Sequence, residues 1–259
     1  MYWKRLFKPH ILDRGYGYYQ EKMIKVQKLV YDADEKMIRD YMTSILMNDD
    51  KLLTRFSIML QEDINGDNIN MYISQIDDIA CRYLGLDGFI DYYRAGDFIS
   101  ELEDIYDNDV RYIISKGKYM KAFNIINYIF MLIGDIDMDD SDGGIGILAD
   151  KTYEIWLELL HKVNDKDKQN MYEWFITHLN GVIIDYLEDY IERILIEEFK
   201  EQEYLEPKLI MIESKLKELV VDVENPSWNK EYMIGKWVTR YIDLLENYQY
   251  KLENIEKLY

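Results

Sequence analysis

The chain has 259 residues, 48% of them hydrophobic, which is enough to bury a sizeable core and excludes a disordered protein. Its 31 lysines and arginines stand against 50 aspartates and glutamates, and the net charge of −19 argues against binding of nucleic-acid phosphates by the body of the chain. Only three prolines interrupt the sequence and aromatic residues are abundant, so the composition predicts an all-α fold.

The sequence carries no recognisable membrane or export signal. No apolar run approaches the roughly 18 residues that span a bilayer, and residues 1–20 lack the apolar core and cleavage site of a signal peptide. The single cysteine, Cys81, excludes an intramolecular disulfide and is typical of a reducing compartment. We therefore expect a cytoplasmic protein without a membrane partner, and we expect Cys81 to lie in the core.

The N-terminal segment differs in charge from the rest of the chain. Residues 1–30 hold seven basic side chains against two acidic ones, so this segment carries +5 and the remaining residues carry −24. Basic side chains interleaved with aromatic rings are typical of proteins that hold single-stranded nucleic acid. Lys22, Lys25 and Lys28 are therefore candidate nucleic-acid contacts. Alternatively, the aromatic residues form a packing face with the lysines at its rim.

The same segment carries a family resemblance. Residues 11–19 read ILDRGYGYY, and the segment 3–30 that contains them resembles the beginning of bacterial SWIM zinc-finger proteins. In that family an ILxRGxxYY phrase leads into a CxC…CxH zinc site associated with binding nucleic acid or protein. One cysteine cannot supply the three thiolates of that site. We therefore predict no metal and no cofactor, and the resemblance implies a helical body that lacks its zinc module.

Helical periodicity continues along the chain. Apolar residues at steps of three and four predict two short helices over 33–61, separated by a break at 48–50, and a third helix from about 71 to 85. The next helix is expected to begin at residues 95–97. A helix ending near Gly117 is followed at once by another, and this helix–glycine–helix phrase resembles a unit of tetratricopeptide-like or HEAT-like solenoids. The pattern predicts stacked helical pairs.

The densest polar cluster is DIDMDDSDGGIGILAD, residues 135–150, and it fails as an EF-hand because Asp140 replaces the turn glycine and Gly146 replaces the final glutamate. A closely similar phrase occurs in SWIM-family chains. One hypothesis is a loop that binds a divalent cation or a basic partner. The other is an ordered interhelical loop whose aspartates cap a helix beginning near Ile145. The candidate carboxylates are those of Asp137, Asp139, Asp140 and Asp142.

No enzyme motif emerges from the rest of the sequence. The three histidines are scattered, and no phosphate-binding loop or nucleophile motif is present. Paired carboxylates such as Glu197 and Glu198 lie in helical runs typical of solvated faces, where they are candidate contacts for a basic partner. We therefore predict that the protein is not an enzyme.

The C-terminal part has its own period. Two apolar stripes at steps of three and four run from Leu209 to Val223 and from Val238 to Tyr259, separated by Asn225 and Pro226. They predict an antiparallel helical hairpin, either folded on itself or offered to a partner. Charge and periodicity together suggest three segments: a basic aromatic segment 1–32, an acidic helical body 33–203 and a helical hairpin 204–259.

These features favour a non-enzymatic protein-interaction module, or a decoy, that binds a basic protein surface. A first alternative is an acidic nucleic-acid mimic that inhibits a nucleic-acid-binding machine, of the anti-CRISPR or anti-restriction type. A second alternative is weak nucleic-acid binding through the basic N-terminal segment. A mimic requires one elongated acidic stripe nearly free of lysine, whereas a scaffold intersperses its cations among its acids.

Overall fold

The structure, a computed structural model, describes residues 10–65, 69–179, 185–221 and 228–247, with side chains for 21–60, 69–179, 186–220 and 230–246. Within these ranges the fold is all-α, as the sequence predicted. The chain divides into two compact units, Met1–Asn68 and Ile69–Tyr259. The three segments suggested by charge and periodicity are not tested by this division and stay a prediction.

The first unit contains three described helices, α1 (His10–Asp32), α2 (Glu35–Leu46) and α3 (Asp50–Asn65). The Asp34 side chain accepts a hydrogen bond from the Met37 amide and caps α2. The predicted break at 48–50 separates α2 from α3, which pack against each other. Ile58 of α3 is buried, whereas α2 buries none of its residues. Most of the described apolar side chains of this unit are therefore exposed to solvent.

The second unit contains the longer succession of elements. In chain order they are α4 (Asn70–Tyr83), β1 (Phe89–Ile90), α5 (Tyr92–Asp104), a π-helical segment (Ile105–Val110), α6 (Arg111–Ser115), α7 (Tyr119–Asp135), β2 (Asp137–Met138), α8 (Gly144–Leu160), α9 (Asp165–His178), α10 (Asp185–Glu198), a 3-10 turn (Gln202–Tyr204), α11 (Leu205–Val221) and α12 (Trp228–Asn247). The two strands pair in parallel, with Phe89 opposite Asp137. Helices adjacent in sequence pack together as pairs, among them α4 with α5, α7 with α8, and α9 with α10.

The core of the second unit is built around α7. The predicted glycine junction is present: Gly117 has a φ of 74° at the end of α6, a backbone conformation that favours glycine, and α7 begins two residues later. Helix α7 packs on α4, α6 and α8. Aromatic rings fill the space between α7, α8 and α9, with the Trp156 ring centroid 4.8 Å from that of Phe130 and 4.9 Å from that of Phe175.

Two sequence-based expectations were wrong in this unit. Cys81 is exposed, because α4 buries the face that carries Ile76, Ile79 and Ala80 and turns Cys81 away from it. The helix expected to begin at residues 95–97 begins at Tyr92 instead. The reason is a helix cap that the periodicity did not reveal, since the Asp91 side chain accepts a hydrogen bond from the Tyr93 amide.

The predicted C-terminal hairpin forms within the described residues. The Tyr241 hydroxyl donates to Glu213 at 2.9 Å, and the Lys215 ammonium lies 5.2 Å from the centre of the Trp237 ring. Glu213 precedes Lys215 in α11, whereas their partners occur in the reverse order in α12, with Trp237 before Tyr241. The two helices are therefore antiparallel. Leu245, predicted to lie in the seam, is buried, whereas Val238, predicted there too, is 41% exposed and its neighbour Trp237 is buried instead. Residues 222–227 and 248–259 of the predicted hairpin lie outside the described residues.

Candidate functional site

The aspartate-rich loop forms an ordered connection between α7 and α8. The Asp140 carboxylate accepts a hydrogen bond from the Ile145 amide and so caps the first turn of α8. The Asp139 carboxylate accepts hydrogen bonds from the hydroxyl and the amide of Ser141, and these bonds hold the pKa of Asp139 below its usual range. Asp137 and Asp142 are exposed. Two of the four candidate carboxylates therefore hold their own loop together.

The structure also bears on metal binding by that loop. Among the residues that the structure describes, no group of three or more His, Cys, Asp or Glu side chains is arranged to hold a metal ion. The hypothesis of an ordered interhelical loop accounts for the observed hydrogen bonds. Whether Asp137 and Asp142 contact a partner stays a prediction.

Glu197 and Glu198 lie at the end of α10, beside a cleft of about 580 Å³ between α10 and α12. Asp243 of α12 adds a third carboxylate to the wall, and Ile196 and Leu244 contribute apolar surface. Leu244 is only 3% exposed, so the apolar part of the wall is fixed by core packing. We call this space the acidic cleft.

The three carboxylates of the acidic cleft differ from most acidic groups of the second unit. In the described part of the chain, the side chains of Glu197, Glu198 and Asp243 have no hydrogen-bond or ion-pair partner. Lys200 and Arg240 also line the cleft; the Arg240 guanidinium donates to Glu192 at 3.2 Å, and Lys200 adds one positive charge to the lining. The cleft therefore presents three unpaired carboxylates next to apolar surface, an arrangement suited to a long cationic side chain.

A second cleft, of about 450 Å³, adjoins the first one along the same two helices, and Arg240 lines both. Its base is an ion-pair network centred on Glu192, which is 3% exposed. Lys236 bridges Glu192 at 2.5 Å and Asp189 at 2.8 Å. Burial acts to lower the pKa of Lys236, but the hydrogen bonds to Asp189 and Glu192 outweigh burial and raise it. The network locks α12 onto α10.

Arg193 occupies the opposite wall of this second cleft. Its guanidinium carbon lies 3.6 Å from the centre of the Tyr153 ring and 5.7 Å from that of Tyr190. The Tyr190 hydroxyl in turn donates to Asp150 at 2.7 Å. Burial, together with this hydrogen bond, raises the pKa of Tyr190 to about 12. Tyr190 therefore stays neutral at physiological pH, and the Tyr153 ring covers one face of the guanidinium. We call the space beside it the Arg193 cleft.

Cations are interspersed among the acids elsewhere in the second unit. Examples of ion pairs between different elements are Arg82 with Glu101, Arg111 with Glu158, Lys151 with Glu103, Lys168 with Glu201 and Lys215 with Glu188. Such pairs break up a continuous negative stripe.

The basic candidates lie in the first unit. Lys22, Lys25 and Lys28 occur at steps of three residues on α1, and their side chains are exposed. The same helix exposes Ile24 (60%) and Leu29 (61%). Nucleic-acid contact by these lysines stays a prediction. None of the helices in the described ranges combines the length and the apolar character needed to cross a membrane.

Glu197 and Glu198, named from the sequence as candidate partner contacts, line the acidic cleft, but the sequence did not single out the other residues that shape the two clefts. Glu192, Arg193, Arg240 and Asp243 carry no local motif, because their arrangement depends on how α12 packs against α10, almost fifty residues away in sequence. The sequence signal for these residues was the run of charged side chains along α10, and such a run is also typical of any helix face exposed to solvent.

Comparison of the chain with protein-family models, with curated proteins and with solved structures gave no match. The resemblance of residues 3–30 to SWIM zinc-finger proteins therefore stays a prediction from the sequence.

Proposed function

We propose that the protein is a non-enzymatic protein-interaction module that binds a basic segment of a partner protein in the acidic cleft. The observation that carries this proposal is the convergence of three carboxylates, those of Glu197, Glu198 and Asp243, on a cleft with an apolar wall, none of them paired with another described residue. A lysine or arginine side chain matches both features, since its methylene stem packs on apolar surface while its charge meets a carboxylate.

Energetics also favours this site over the general acidic surface. An exposed ion pair contributes only about 0.2–1 kcal/mol, so scattered surface acids give little affinity one by one. In the acidic cleft, contact with the apolar part of the lining, to which Ile196 contributes, removes water from the side chain that enters, and desolvated anchors of this kind dominate binding energies. The net charge of −19 adds long-range attraction for a basic partner.

The proposal predicts a localised response to a cationic probe. We would titrate isotopically labelled protein with N-acetyl-lysine-N′-methylamide and follow backbone amide shifts by NMR, with the norleucine analogue as the uncharged control. The expected result is saturable shifts at the end of α10 and the facing part of α12 for the lysine probe only. Weak shifts spread evenly over the acidic surface would contradict the proposal.

Matched charge variants make the test site-specific. The variant E197Q/E198Q/D243N removes the three cleft carboxylates, and D135N/D137N/D142N removes three exposed carboxylates near the α7–α8 loop with the same change in net charge. We expect the first variant to lose the localised shifts and the second to retain them. The same pair of variants then serves in carbodiimide cross-linking to cellular proteins. There, a captured partner supports the proposal only if its lysines are linked to the cleft carboxylates.

A further inference from the structure

We infer that the Arg193 cleft is a second subsite that takes an acidic side chain, so that the partner segment carries a basic and an acidic residue two positions apart. This inference rests on the proposed function, because the acidic cleft supplies the basic half of the recognition. It adds what the proposed function leaves open, namely the sequence character of the bound segment.

The two subsites are neighbours on one surface. Arg193 and Glu197 are separated by four residues on α10, so their side chains lie on the same helix face, about 6 Å apart along the axis. On the α12 side, Arg240 lines both clefts. A ligand bound along the groove between these helices therefore meets a carboxylate cluster at one end and Arg193 at the other.

Arg193 is positioned to recognise an anion. Stacking on the Tyr153 ring at 3.6 Å fixes the plane of the guanidinium and leaves the N–H groups at its edges to donate. Among the described residues, no carboxylate or carbonyl oxygen lies within hydrogen-bond distance of these groups. A guanidinium whose face is covered by a ring, and whose edge N–H groups are available to donate, matches the planar, two-oxygen geometry of a carboxylate.

The other cations of this cleft are already engaged. Lys236 is paired with Asp189 and Glu192, and Arg240 is paired with Glu192. Within the described lining, Arg193 is therefore the cation whose charge is not matched by an adjacent carboxylate. The nearby acids also favour a singly charged carboxylate over a phosphate, because repulsion grows with the charge of the ligand.

The spacing of the subsites selects the conformation of the ligand. An extended chain rises about 3.3 Å per residue and places side chains i and i+2 on the same face. Two residues therefore span the roughly 6 Å between the subsites. The partner segment that fits is an extended one in which a lysine or arginine and an aspartate or glutamate flank a single residue.

Three capped peptides of equal length, with the cores Lys-Ala-Glu, Lys-Ala-Gln and norleucine-Ala-Glu, test the inference by NMR titration. We expect the wild-type protein to prefer Lys-Ala-Glu over Lys-Ala-Gln about fivefold, as one partly desolvated ion pair allows. Arg193→Gln should abolish that preference while leaving the affinity for Lys-Ala-Gln unchanged. Arg193→Lys keeps the positive charge but removes the planar guanidinium that stacks on the Tyr153 ring. This variant should lose most of the preference for Lys-Ala-Glu over Lys-Ala-Gln. Arg39→Gln, which changes an exposed arginine of α2, is the matched control.

The outcomes separate this inference from the proposed function. Equal binding of Lys-Ala-Glu and Lys-Ala-Gln by the wild type, or a preference that survives in Arg193→Gln, overturns the second subsite alone. Binding of norleucine-Ala-Glu as tight as that of Lys-Ala-Glu, unchanged in E197Q/E198Q/D243N, overturns the acidic cleft as the basic-side-chain site. Failure of all three peptides to bind overturns both.

Discussion

Lys208 of α11 makes the stability of the folded protein depend on pH in a way that can be calculated. Its side chain is fully buried, and its ammonium donates to the backbone carbonyl of Phe199 at 2.6 Å, just past the end of α10. Burial lowers the pKa of Lys208 from 10.5 to about 8, more than the nearby charge of Glu201 can offset. The folded state therefore binds fewer protons than the unfolded state between pH 8 and 10.5.

The sign and size of the effect follow from this difference. Where the unfolded state binds more protons, raising the pH stabilises the folded state. The lowered pKa of Lys208 reduces the free energy of unfolding by about 3 kcal/mol at pH 7 and by about 2 kcal/mol at pH 9, as calculated from the two pKa values. Stability should therefore rise by about 1.4 kcal/mol between pH 7 and pH 9 because of Lys208.

The test compares urea unfolding of the wild type and of Lys208→Met, followed by circular dichroism at pH 7, 8 and 9. Methionine has a similar length and does not titrate, so the rise with pH should disappear in this variant. Lys217→Met, at an exposed position of the same helix, is the control and should keep the rise. If the stability curves of the wild type and Lys208→Met run parallel from pH 7 to 9, the argument from burial is refuted.

Two further predictions concern buried polar groups of the second unit. Glu192→Gln should lower the free energy of unfolding by about 2 kcal/mol in urea titrations, because Lys236 loses a charged partner that is itself buried. The control is Glu197→Gln, at the exposed end of the same helix, which should change the free energy of unfolding by no more than about 0.5 kcal/mol. Thr152→Val should cost about 1–3 kcal/mol, because the buried Tyr106 hydroxyl, 2.6 Å from the threonine hydroxyl, loses its hydrogen-bond partner. Adding Tyr106→Phe should recover part of that loss, and a strictly additive double variant would contradict the assigned hydrogen bond.

The fold class could be predicted from the sequence because it depends on local patterns. Apolar residues at steps of three and four lie on one helix face whatever the rest of the chain does. The glycine junction at Gly117 and the break between α2 and α3 were visible for the same reason, since turn chemistry acts over a few residues. The capping role of Asp140 was also local, because its partner is the amide of Ile145.

Errors arose where periodicity alone was used to assign burial or a boundary. Cys81 sits in an apolar run, but burial depends on which face of α4 meets its neighbours. Val238 fits the apolar stripe of α12, yet the packing of α11 places Trp237 in the seam. In both cases the sequence restricts a residue to a helix, and only the rotation of that helix in the packed unit decides whether the side chain is buried.

By itself, the amino-acid sequence determined that this is an acidic, helical protein in which residues 1–30 carry a net positive charge. Only the tertiary structure decided which acids are available to a partner. Charge is a property of composition, but pairing depends on distances between side chains far apart in sequence. Glu192 and Glu197 lie in the same helix and look alike in the sequence, yet the packing of α12 pairs the first with Lys236 and Arg240 and leaves the second open in the acidic cleft.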